Sequence, residues 1–213
     1  MSVPVFQSDG ALKGAPATGL AAGGCALWRM RSNVECLAAL DAVTGIVRPP
    51  AGAVRWFGRD ISALEPREVM ATLQCLAPLT AAGGLLGNIR MADNILLPCA
   101  ARGRGAAGES ELRDLLSKAP WSGWFPESEL RVLPYQTGDL ARALAGVLRA
   151  WLVHPEAIVA CNVWHLLEHG ERATLSSALS WVRAGQPGCA WLFIQTESDL
   201  PPGFTANNLA QQP

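Results

Sequence analysis

Residues 161–170, CNVWHLLEHG, place His165, Glu168 and His169 in the order H-x-x-E-H. On one continuous helix, side chains four positions apart share a face. Two imidazoles so placed grip a zinc ion while the carboxylate activates its bound water for hydrolysis. Such a centre needs a third ligand from elsewhere in the chain. With three histidines in all, Glu171 or Glu197 would have to supply it. The apolar run EAIVAC (156–161) just upstream reads as a buried strand, and Gly170 interrupts the helical pattern as soon as it starts. The expectation is that no metal binds here, and a zinc hydrolase using these three residues ranks last among the functional readings.

Any site must be positioned by a larger frame, and composition bounds that frame. The 213 residues are 50% apolar and 16% charged, enough for one domain with a sizeable core. Net charge is −1 without a cluster of lysine or arginine, so nucleic acid is not an expected partner. No uninterrupted apolar run approaches the roughly 20 residues of a membrane helix, and direct membrane insertion is not expected. The six cysteines are scattered without a C-x-x-C pair, the usage of buried thiols in a reducing compartment. The first residues, MSVPVFQSDG, lack a basic and an apolar signal region, so the expected location is cytoplasmic.

Along the chain, short β-like runs alternate with helical patterns. CALWRM (25–30), AVRWFGRD (53–60), EAIVAC and CAWLFIQ (189–195) read as strands. VECLAALDAV ending near Gly45, LEPREVMATL, SELRDLLSKA and RATLSSALSWVRAG read as helices. Leu140, Leu144, Val147, Leu148 and Trp151 mark one face of a further helix. Residues 101–109, ARGRGAAGE, read as a flexible loop. This alternation implies an α/β domain with a partly parallel sheet.

Four segments also resemble one family in their order and spacing. LRAWLVHPEAIVACNVWHLLE (148–168) resembles the part of ABC-transporter ATPases that runs from the helix after the signature motif, through Walker B, to the D-loop. Arg149, Ala150, Pro155, Leu166 and Leu167 match its frame. LPYQTGDLARALAGVL is similar to the signature region, with Gln136, Gly138 and Arg142 in place. GIVRPPAGAVRWFGRDI (45–61) resembles the run after the P-loop helix, and GLLGNIRMADNILLP (84–98) the segment after the Q-loop. The resemblance covers about residues 25–198. It implies a P-loop NTPase-like layered domain over 25–213, a helical insert at roughly 80–150, and a reduced N-terminal β-subdomain after a poorly structured segment 1–24. Trp28 or Phe6 would be left to mimic the aromatic platform that stacks adenine.

The catalytic letters of that family are replaced. The pattern G-x-x-x-x-G-K-[ST] falls on 30–37, with Met30 and Glu35 at the glycines, Cys36 at the lysine and Leu37 at the metal-binding hydroxyl. A phosphate cradle needs the freedom of glycine, a positive charge and a hydroxyl. Cys161 falls at the Walker B aspartate, Asn162 at the glutamate that polarises water, and Thr196 at the switch histidine. The Q-loop glutamine falls near Thr80 and Ala81, and Glu168 takes the D-loop aspartate position. The signature-like residues Thr137, Gly138 and Asp139 keep one glycine and add a carboxylate where a γ-phosphate would approach. No catalytic residue, cofactor or bound ATP is therefore expected.

The function implied is a non-catalytic ABC-ATPase-like subunit of a membrane transport complex, held at the inner membrane by a permease that docks on residues 80–100. It would dimerise with itself or with an active ATPase. NILLPCAARG and the altered signature are similar to divergent ATPases of lipid-trafficking (Mce-type) importers. A weak nucleotide-binding regulator is the alternative.

Overall fold

The computed structural model describes residues 4–118, 120–201 and 204. The chain divides into one unit of Met1–Pro78, Pro155–Asn162 and Arg183–Pro213, and another of Leu79–His154 and Val163–Val182.

The first unit begins with two strands, β1 (Phe6–Ser8) and β2 (Thr18–Leu20), followed by β3 (Cys25–Met30) and helix α1 (Asn33–Thr44). Then come β4 (Val54–Trp56), β5 (Arg59–Asp60), α2 (Pro66–Leu73) and β6 (Leu76–Thr80). Two strands from later in the chain, β7 (Ala157–Cys161) and β8 (Ala190–Thr196), complete it. One sheet has the order β3-β8-β7-β6, with β3 and β7 both parallel to β8. Every residue of β7 and β8 is buried, the continuous apolar pattern of strands covered on both faces rather than the alternation of half-exposed ones. Register brings the carboxyl ends of three strands to one edge, since Met30 pairs with Thr196 and Cys161 with Ile194.

The second sheet is antiparallel in the order β2-β1-β4-β5. Residues 4–24 are therefore not the poorly structured segment that their Ala/Gly/Pro content suggests. Phe6 and Leu20 supply enough apolar surface to hold β1 and β2 in place, both being buried in the core. The Phe6 ring lies 4.5 Å from Trp56 and 5.8 Å from Trp28, centre to centre. All three are fully buried, so neither Phe6 nor Trp28 offers a face to adenine. Trp56 Nε1 donates to the Val43 carbonyl at 2.8 Å, fastening this sheet to α1. The β4–β5 turn puts Phe57 and Gly58 at φ 52° and 79°, the two positive angles of a type I′ hairpin.

The second unit is helical: α3 (Met91–Ala101), α4 (Gly105–Leu116), α5 (Trp121–Trp124), α6 (Asp139–Leu152) and most of α7 (His169–Gly185). Helix α4 starts at Gly105, inside the stretch expected to be a loop. Gly108 faces Cys99 so closely that a Cβ would lie 2.9 Å from the Cys99 Cβ, and this close approach of α4 to α3 overrides the weak helix propensity of glycine. The strong apolar stripe of α6 buries Leu144, Val147 and Leu148 as the spacing requires.

Loop 81–90 is held at both ends by polar side chains. Arg149 donates to the carbonyls of Gly83 and Gly84, each at 2.7 Å, and burial lowers the pKa of its guanidinium. Asn94, 1% exposed, accepts the Leu86 N–H at 2.7 Å and donates to the Leu86 and Ile89 carbonyls at 2.9 and 3.1 Å. Gly83 has φ 69°, and a Cβ there would collide with the Arg142 carbonyl. Gly83→Ala is expected to destabilise the protein by about 3 kcal/mol, combining backbone strain with steric overlap. Gly52→Ala, at φ 78° but facing open space, should cost only about 1 kcal/mol. Urea denaturation of the two variants measures the difference.

Candidate functional site

Met30, Glu35, Cys36, Leu37, Cys161, Asn162 and Thr196 all gather in the first unit, at the carboxyl ends of β3, β7 and β8 and the amino end of α1. Ligands of open α/β sheets bind at such an edge. Only Arg31 and Ser32 separate β3 from α1. The run 30–37, onto which the family's phosphate-loop pattern falls, is the last residue of a strand, a two-residue link and the start of the helix read from VECLAALDAV.

That helix end is already occupied. Ser32 is the N-cap, and its hydroxyl accepts the Glu35 N–H at 3.2 Å. The Glu35 carboxylate returns to accept the Arg31 N–H at 3.0 Å. This reciprocal arrangement has the form of a capping box, here closing on the residue before the cap. It places a fixed negative charge where a helix amino end would otherwise attract an anion. Val34 and Leu37, 76% and 44% exposed, present apolar side chains beside it. Gly14 approaches from the β1–β2 connection, where a Cβ would stand 3.3 Å from the Met30 methyl.

Behind the cap, the polar groups satisfy one another. Asn162 has φ 47°, a left-handed angle that asparagine tolerates better than most residues. Its N–H donates to the Ile194 carbonyl at 2.9 Å. Its side-chain amide donates to Asn33 Oδ1 and accepts the Thr196 N–H at 3.1 Å. The Thr196 hydroxyl donates to Asp199 Oδ2 at 2.6 Å. Asn162, Thr196 and Asp199 are 3%, 6% and 8% exposed, so this chain of bonds is buried except at its Asn33 end, which is half-buried. Asn33 and Asp199 belong to it but carry no motif; their side-chain chemistry is common to helix starts and turns.

Cys36 and Cys161 are 0% and 1% exposed and belong to the same core cluster as Met30. The neighbouring Cys36 thiol and burial raise the pKa of Cys161. Neither brings a charge comparable to a lysine or an aspartate at neutral pH.

The other expected residues lie in the second unit. Gly138 caps α6, Asp139 opens its first turn and pairs with Arg142. Arg142 also donates to the Thr137 and Pro134 carbonyls at 2.8 and 3.1 Å. The carboxylate of Asp139 is thus balanced locally rather than aimed outward alone. His165 lies in a turn and His169 is the first residue of α7, so the two do not share a helix face. Among the described residues, no group of three or more His, Cys, Asp or Glu side chains is arranged to hold a metal.

Asn162→Ala removes the two side-chain bonds that link Asn33 of α1 to Thr196 of β8 and leaves the Thr196 N–H buried without that partner. It is expected to cost about 3 kcal/mol, against about 1 kcal/mol for Glu35→Ala at the exposed cap. Chemical denaturation of both variants tests whether this network is the structural centre of the site.

Sequence comparison finds no matching family model and no matching curated protein. Solved structures do match in fold. The structure of cbiO1 from Clostridium perfringens, part of the ABC transporter complex cbiONQ, aligns with a TM-score of 0.71 at 9% identity over 93% of this chain and 81% of its own. The dimeric structure of MJ0796, a bacterial ABC transporter cassette, aligns at 0.67 and 12% over 92% and 87%. A third, an ATP-binding subunit of an ABC transporter, aligns at 0.63 and 16% over 85% and 71%. The α/β architecture with its parallel sheet is that of these ATP-binding cassettes.

Proposed function

We propose that this chain is a non-catalytic ABC-ATPase-like subunit that acts structurally in a membrane transport complex. The observation that carries this reading is the amino end of α1, where Glu35 and Ser32 take up the backbone N–H groups that a phosphate would use. Phosphoryl transfer relies on a lysine, a metal and a positioned water near such a helix end. Cys36, Cys161 and Asn162 supply none of these: the two thiols are buried in the core and the Asn162 amide bonds to Asn33 and Thr196 instead. Asn162 also lacks a carboxylate for general-base work.

The docking surface for a permease is the segment 80–100. Asn94 and Arg149 hold its loop while Leu86 is left 52% exposed, a fixed apolar side chain of the kind that anchors interfaces. No helix among the described residues is long and apolar enough to cross a membrane. Attachment to the inner membrane would run through that permease, and pairing with a second copy or with an active ATPase would complete the complex. Lipid is the cargo class suggested by the sequence resemblance around NILLPCAARG.

Titration calorimetry with Mg-ATP and Mg-ADP at millimolar concentration is expected to give no heat, and thermal melts no shift. Saturable binding would replace this reading with a nucleotide-binding regulator. Permease association is tested separately. Leu86→Asp should lose the co-purifying permease while leaving the melting temperature within a few degrees of the parent, whereas unchanged co-purification would move the docking surface elsewhere.

A further inference from the structure

The second unit contains a cleft of about 660 Å³ between α3, α4, the residues around the end of α5 and the 3₁₀ turn Glu127–Arg131. Its origin lies in the packing of the two longer helices. α3 and α4 meet tightly where Gly108 faces Cys99, beside the turn that joins them. Beyond that pinch the cleft opens, with Leu96 of α3 on one side and Leu112 and Leu116 of α4 on the other. Phe125, 1% exposed, and Leu130 close it from the direction of the 3₁₀ turn. A cleft of roughly 300–1,000 Å³ with an apolar lining is of the size that encloses a small ligand.

The charged residues of the cleft are unequal in sign. Asp93, Glu109 and Glu127 stand against a single Arg113. Three negative charges and one positive leave a local −2 in a chain whose whole net charge is −1, so the excess belongs to this cleft and not to the surface at large. Among the described residues none of the four is in an ion pair, whereas Glu111, two positions from Glu109, is held by His154 at 3.1 Å and by Arg104. Glu109, Leu112, Arg113 and Leu116 recur at i, i+3, i+4 and i+7, so one face of α4 brings charge and apolar surface to the same opening. We propose that this cleft binds a small molecule with an apolar body and a protonated amine or guanidine, the body lying on Leu96, Leu112 and Phe125 and the cation among Asp93, Glu109 and Glu127.

The pattern of charge selects as well as attracts. A cationic end relieves the mutual repulsion of the three carboxylates, while a carboxylate or phosphate end adds to it. Fatty acids and anionic lipids are therefore poor occupants. The site needs neither nucleotide nor permease, so its failure would leave the structural reading of the α1 end unaffected.

The test follows ¹H–¹⁵N spectra of the full labelled chain at neutral pH and low salt during titration with octylammonium chloride and, in parallel, with sodium octanoate. The two probes share one chain length and differ in the sign of the charged end. Octylammonium is expected to saturate a single site with a Kd of about 1 mM, its shifts concentrated on α3, α4 and residues 122–130. Octanoate should bind about tenfold more weakly, the ratio that two or three exposed charge contacts supply. Glu109 and Glu127 are exposed, so the double variant Glu109→Gln, Glu127→Gln should keep the parent's melting temperature while bringing the two probes within about threefold of each other. Equal binding of both probes by the parent, octylammonium affinity unchanged in the double variant, shifts centred on the first unit, or no saturation by about 10 mM would each overturn the proposal.

Discussion

The amino end of α1 has to be satisfied by something, and the rest of the first unit is arranged around what satisfies it. A helix leaves its first backbone N–H groups without partners, and its dipole adds partial positive charge there. Here the partners are internal: the Ser32 hydroxyl accepts the Glu35 N–H and the Glu35 carboxylate the Arg31 N–H, while beside them the Asn33 side chain accepts from the Asn162 amide. Asn162 in turn holds the end of β8 through the Thr196 N–H. One asparagine in a left-handed conformation thus joins the helix to two strands of the parallel sheet. Remove it and three elements lose a common anchor.

Neutrality of this interior follows from the same constraint. A lysine or a carboxylate buried beside β7 and β8 would need a phosphate, a metal or an opposite charge, and an unpaired buried charge costs several kcal/mol. Cys36 and Cys161 avoid that cost because a thiol packs as a small apolar group. Asp199, the one buried carboxylate of the network, accepts the Thr196 hydroxyl.

Much of the fold was legible because it rests on periodicity. The buried runs EAIVAC and CAWLFIQ became β7 and β8, and the stripe through Leu144 and Leu148 became α6. Gly45 was readable as a helix stop and adopts φ 74° as the C-cap of α1. What composition hid was order that depends on partners distant in sequence. Residues 4–24 look like a linker until Phe6 is set against Trp28 and Trp56, and 101–109 looks like a loop until Gly108 is set against Cys99. The site was legible in part. Motif spacing brought 30–37, 161–162 and 196 together, and the apolar pattern of VECLAALDAV marked a helix without fixing its first residue. S-x-x-E over Ser32 and Glu35, a helix-start signature in its own right, was the signal that a helix begins there.

Fixing of loop 81–90 shows that the interior polar economy extends to the second unit by different means. A loop between a strand and a helix normally leaves several backbone groups to water. Asn94 and Arg149 instead take up carbonyls on both sides of Leu86, so the exposed leucine sits on backbone with little freedom left to lose. Ordering a flexible loop on binding costs roughly 1 kcal/mol or more per residue, and that cost is met here during folding. The buried network around Asn162 and the anchored loop around Leu86 thus have one character in common: in both, the chain's own side chains lock the backbone conformation.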